Sequence, residues 1–150
     1  MTSSILIALV QASVMGSGAG SYSEAYDQTI KTGKPLVVLV CAQWCQPCQQ
    51  MKKNVLPEVR KRGWMNKVSF ATIDWDQNSD LAQELTGGGS IPRLVMYCKT
   101  PEGWQRSELV GSQSVGAVEQ FLSGGIAAGK VAAEKASETE AVTVATEVRR

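Results

Sequence analysis

The sequence predicts an α/β domain in three layers, a central mixed β-sheet flanked by helices. Three observations predict it. Leu36-Val37-Val38-Leu39-Val40-Cys41 is an unbroken apolar run rich in β-branched residues, the pattern of a strand buried on both faces. Strand-like runs alternate with helix-like stretches along the first two thirds of the chain. A Pro101-Glu102-Gly103 turn then joins two further runs ahead of a closing helical pattern. The expected order is α-β-α-β-α-β-β-α.

Each element has its own signal. Tyr22, Tyr26 and Ile30 recur every four residues and mark one face of a first helix, starting near Ser21 or Ser23 and stopped by Thr32-Gly33-Lys34-Pro35. After the buried strand, Gln46 to Arg62 reads as a polar helix with Met51, Val55 and Val59 spaced by four. Pro57 should kink or break it. Val68 to Ile73 is a second strand. Asp80 to Leu85 is a short helix capped by Asn78 or Ser79 and ended by Gly87-Gly88-Gly89. Leu94 to Cys98 and Gln105 to Val110 are the paired last strands, and Val115, Val118, Phe121 and Leu122 line one face of the closing helix.

These elements occupy residues 21–126. Residues 1–20 carry a short apolar run, Ile5 to Val10, then a Gly/Ser-rich stretch. Two readings stand open. Met1 to Ala12 is a signal peptide lacking an early Lys or Arg, or it is a flexible N-terminus. Export to a periplasm-like compartment follows from the first, a cytoplasmic location from the second. Residues 127–150 lack aromatic, Leu, Ile and Met side chains, so a disordered Ala/Glu/Thr-rich tail is expected, with a frayed helix as the alternative that Ala and Glu favour locally.

Composition narrows the chemistry. In 150 residues the chain is 43% apolar and 19% charged with a net charge of +1, enough for a core and no footprint for nucleic acid. It has no histidine, which excludes Ser-His-Asp and Cys-His pairs and His-ligated metal. Its four cysteines are the remaining reactive groups.

Two of them form Trp44-Cys45-Gln46-Pro47-Cys48, between the buried strand and the next helix. A helix starting near Cys45 leaves backbone N–H groups unpaired beside the first sulfur, which favours thiolate over thiol. The intervening two residues let Cys48 reach Cys45, and Pro47 suits a first helical turn. Zinc is not expected, since Cys41 and Cys98 fall in strands without knuckle spacing, and haem attachment would need His where Gln49 stands.

With these residues in view, residues 21–126 resemble the thioredoxin superfamily. Trp44-Cys45-Gln46-Pro47-Cys48 is similar to its W-C-x-P-C motif, Ser90-Ile91-Pro92 to its cis-proline segment, Ile73 to Asn78 to the end of its central strand, and Gly111 to a glycine of its substrate groove. The resemblance implies a thioredoxin-like fold and a thiol–disulfide oxidoreductase with Cys45 as nucleophile and Cys48 as resolving thiol. It implies substrate contacts from Trp44, Gln46, Pro47, Ile91, Pro92 and Gly111. Protein-disulfide reduction is the expected direction, because the Gln-Pro dipeptide lacks the His of strongly oxidising or isomerising relatives. The expected partners are disulfide-containing proteins and an external electron donor, a reductase or a membrane thiol carrier. No cofactor, metal or nucleic acid is expected, and the chain is expected to be a monomer. The alternative is a non-catalytic thioredoxin-like protein-binding module.

The chain also departs from the family. Leu39 stands where a buried Asp is usual and Thr72 where its Lys partner is usual, so slower or water-mediated deprotonation of Cys48 is expected. Arg93 replaces a common Thr after the proline; it either stabilises the Cys45 thiolate or points to solvent. Cys41 replaces a Trp, and Pro57 lies later than the family's helix proline. Cys41 and Cys98 read first as inert buried thiols, with an auxiliary redox role for Cys41 as the alternative.

Overall fold

The computed structural model describes residues 21–147, with side chains up to residue 140; the expected signal peptide or flexible N-terminus lies outside the described residues. Helix α1 spans Tyr22–Thr32. Ser21 caps it: the Ser21 hydroxyl accepts from the Glu24 N–H and the Glu24 carboxylate accepts from the Ser21 N–H. Gly33 ends it in the left-handed region. The Tyr22-Tyr26-Ile30 stripe is not the buried face. Tyr26 and Ile30 are exposed, and the helix packs through Ala25 and Thr29, whose small side chains allow close approach to the sheet.

Strand β1, Leu36–Cys41, is buried along its whole length. The next helix begins as α2, Gln46–Gln50, widens into a π-turn over Met51–Val55 and continues as α3, Leu56–Lys61. The π-turn is how the chain absorbs Pro57. That proline has no N–H to donate, and the Leu56 N–H instead reaches back to the Met51 carbonyl. The extra residue shifts the buried stripe from the expected Val55 to Leu56, between buried Met51 and Val59. A short 3-10 turn, Trp64–Lys67, leads to strand β2, Ser69–Asp74. Then follow α4 (Ser79–Thr86), β3 (Arg93–Thr100), β4 (Gly103–Val110) and α5 (Val115–Glu147).

The sheet order is β2-β1-β3-β4, with β1 and β2 parallel and the other pairs antiparallel. Alternation along β1 divides the core. Val38 and Val40 face α1 and α4, packing with Ala25, Ala82 and Leu85. Val37, Leu39 and Cys41 face the other way, into a cluster with Met51, Val59, Val118 and Leu122. The architecture is the expected three-layer α/β fold. No described helix is long and apolar enough to cross a membrane.

The expected disordered tail differs from what is observed, because α5 runs on to Glu147. Its first turns are nucleated by packing of Val118 and Leu122, and by the Ser114 hydroxyl accepting from the Ala117 N–H. Beyond Ile126 the chain is mostly Ala, Glu, Lys and other helix formers. Propagating an existing helix through such residues is far cheaper than starting one. Gly125 is tolerated within α5 because the Met96 side chain occupies the space a Cβ would need.

Candidate active site

Register gathers the site at one end of the sheet. Cys41 is level with Asp74, Val40 with Arg93, and Arg93 with Val110. The loops that follow β1, β2 and β4 therefore meet the loop that precedes β3. The Ile91–Pro92 peptide in that last loop is cis, the geometry the resemblance implies. The Pro92 carbonyl accepts from the Gly111 N–H at 2.8 Å, tying the proline loop to the end of β4. Gly111 has φ of 83°, a conformation that disfavours any side chain. One residue pair further, the Gln113 N–H lies 3.3 Å from the Met51 sulfur, fastening this loop to the helical run below the cysteines.

Cys45 is the N-cap of α2, in extended conformation. Its sulfur accepts from the Cys48 N–H at 3.3 Å, as a capping oxygen would. The two cysteines form a disulfide with Cα atoms 5.2 Å apart. Cys48 is fully buried behind Cys45, which retains 5% exposure. Pro47 occupies the first turn and is exposed with Gln46. Trp44 is 67% exposed, and its indole N–H donates to Asp76 at 3.2 Å. The Asp74 carboxylate in turn accepts from the Asp76 N–H.

The structure thus brings the sequence-predicted residues together. Ile91 packs against the cluster that holds Cys45 and Cys48, Pro92 is buried beside it, and Gly111 closes the rim. Asp76 was given no role by sequence reasoning. The available signal was topological: parallel neighbours β1 and β2 must deliver the residues after Cys41 and after Asp74 to the same place. The Gln113–Met51 link had no signal in the sequence.

The sequence left two positions for Arg93, and the structure takes neither. Arg93 is level with Val40, so it emerges on the α1/α4 face of the sheet, opposite the cysteines. Its guanidinium donates to the Thr86 carbonyl at the end of α4 at 2.6 Å and pairs with Glu108 at 3.4 Å, with its side chain only 12% exposed. It satisfies a helix C-terminus and does not act on the dithiol. Leu39 is fully buried in the cluster with Cys48, level with Thr72, so the two proton-handling positions are neighbours and carry neither carboxylate nor amine. Cys41 is a free thiol in the same cluster. Burial pushes its pKa up to about 11, Asp74 adding to the rise and Lys52 opposing it. The Cys98 thiol is also raised by burial.

A dithiol at the mouth of a helix, backed by a buried sulfur and faced by a cis-proline loop, defines a thioredoxin-like oxidoreductase site with a redox-active Cys-x-x-Cys pair. The thioredoxin family model matches residues 20–124. The chain is 33% identical to a thioredoxin from Alicyclobacillus acidocaldarius over 72 residues, 48% of this chain and 66% of that protein, just under two thirds of its length. It is 24% identical to a thioredoxin from Coprinus comatus over 89 residues, 59% of this chain and 79% of that protein. The solution structure of a thioredoxin from Thermus thermophilus shares the fold with a TM-score of 0.58 at 22% identity, covering 68% of this chain and 81% of that one. The chain belongs to the thioredoxin family.

Proposed function

We propose that the chain reduces disulfide bonds of protein substrates. The observation that carries the reading is the cap geometry: the Cys48 N–H points at the Cys45 sulfur while Cys48 itself is fully buried. In the reduced protein this N–H and the start of the helix favour the Cys45 thiolate. That thiolate attacks one sulfur of a substrate disulfide, and the other substrate sulfur leaves and takes up a proton. Cys48 then loses its proton and attacks the Cys45 sulfur of the mixed disulfide. The second substrate sulfur leaves as a thiol. Two electrons pass to the substrate and Cys45–Cys48 closes, to be reopened by an external dithiol donor.

Exposed Trp44, with Gln46, Pro47, Ile91 and Gly111, forms the surface on which the substrate chain lies, and buried Pro92 shapes the loop beneath it. The indole, anchored by Asp76, offers apolar area, and the proline loop offers backbone. The supporting experiment is insulin reduction with dithiothreitol as donor. The expected result is catalysis well above the uncatalysed rate and none with Cys45→Ser. A rate equal to background, unchanged by Cys45→Ser, would leave a protein-binding module as the reading.

A further inference from the structure

At the end of the sheet opposite the dithiol, a groove of about 530 Å³ lies between the α1–β1 turn and the middle of α5. Its size falls in the range of small-molecule sites, roughly 300–1,000 Å³. Pro35, Ile126, Ala132 and Ala136 give it an apolar lining. Four lysines surround it, Lys34, Lys67, Lys99 and Lys130, and no Asp or Glu is among its lining residues.

Like charges gathered around an apolar hollow repel one another, and no carboxylate among the lining residues offsets them. Two of the four are held to the wall. The Lys34 ammonium donates to the Asn66 carbonyl at 3.0 Å, and that of Lys67 sits 4.6 Å from the centre of the Trp64 ring. Lys99 and Lys130 have no hydrogen bond or ion pair among the described residues and are exposed. The carbonyl end of α1 at Gly33 also lines the groove, so an anion would be held by the lysines and not by helix polarity.

We propose that this groove binds a small anionic amphiphile, a single acidic head on a short apolar chain, with Lys99 and Lys130 gripping the head and the Ile126–Ala136 side of α5 receiving the chain. The lining supplies both halves of that chemistry. The concave shape and its volume suit one such molecule better than a flat membrane surface. The site is separate from Cys45 and Cys48 and stands whether or not the reductase reading does.

The test is calorimetric titration of the full chain with decanoate below its micelle concentration. Saturable one-to-one binding is expected, weakened about tenfold or more in Lys99→Gln/Lys130→Gln and by added salt, with decanol binding far more weakly. Ala133→Glu, an exposed helix position lining the groove, should remove binding by placing a carboxylate beside the head. Both variants should keep the far-ultraviolet circular dichroism spectrum and the urea midpoint of the unsubstituted chain, which shows them folded. The proposal is overturned if decanoate gives no saturable binding, if the double variant binds it equally, or if decanol matches decanoate. It is equally overturned if only vesicles of anionic lipid are bound, or if the groove proves to be covered by a second copy of the chain.

Discussion

Cys41 and Cys45 lie four residues apart and belong to one apolar cluster, at 0% and 5% exposure. Their sulfurs nevertheless meet different surroundings. Cys41 ends a strand, and its backbone groups are spent on the sheet and on the Trp75 N–H, which donates to its carbonyl at 2.7 Å. Desolvation dominates at its sulfur, with Lys52 and Asp74 acting in opposite directions, and its pKa rises to about 11. Cys45 begins a helix, where an N–H has no partner within the helix and is aimed at the sulfur. Burial alone keeps a thiol protonated; a backbone donor aimed at the sulfur favours the thiolate.

The largest effect that could break this contrast comes from removing Cys48. In Cys48→Ala the first exchange step remains and the second has no resolving sulfur, so turnover in insulin reduction should fall by at least about a hundredfold. Mass spectrometry should show one substrate chain held on Cys45. If Cys41 were a competent thiol it would resolve the intermediate in the same cluster, and no adduct would accumulate.

The resolving step offers the next test. With Leu39 and Thr72 at the proton-handling positions, the pH–rate profile of that step should show thiol ionisation alone. Leu39→Asp puts a carboxyl group into a fully buried site, at a stability cost of roughly 3–5 kcal/mol. Desolvation raises the pKa of that carboxyl, and a second ionisation should appear in the stopped-flow profile. A buried-carboxylate step already present in the unsubstituted protein would overturn this account of Cys48 deprotonation.

How much of this was legible in the sequence depended on whether a local pattern or a distant register carried the information. The β-branched run at Leu36–Cys41 and the cap residues around Ser21 and Gly33 act locally, and they read correctly. The Cys-x-x-Cys spacing fixed the site for the same reason. Arg93 misled because it directly follows Pro92 of the loop beside the dithiol, while alternation along β3 sends its side chain to the other face. The α1 stripe misled because the aromatic residues are conspicuous and the actual contact is made by Ala25 and Thr29. Low apolar content beyond residue 126 argued for disorder, but a helix already nucleated by Val118 and Leu122 needs little further burial to propagate. Asp76 became visible only when the sheet set the ends of β1 and β2 side by side.

The smallest effect sharpens the contrast most, because it isolates Cys41. The fold accommodates its neutral thiol, and the pKa rises from 9.0 to about 11 on folding. Below pH 9 both folded and unfolded chains carry the thiol, and the full contribution to stability is present. Between pH 9 and 11 the unfolded chain releases the proton while the folded chain retains it, so that contribution drains away as pH rises. Lys52 and Asp74 are the charged groups acting on this sulfur, and both remain in Cys41→Ala. That variant loses packing volume and should be less stable than the parent by about 1 kcal/mol near neutrality. Urea denaturation of the oxidised proteins should show this gap closing and then reversing as pH approaches 11, with insulin reduction at neutral pH changed less than about twofold. Parallel stability profiles for the two proteins would mean that Cys41 does not titrate as a desolvated thiol. A large loss of activity would mean that it takes part in exchange, and the distinction between the two sulfurs would fail.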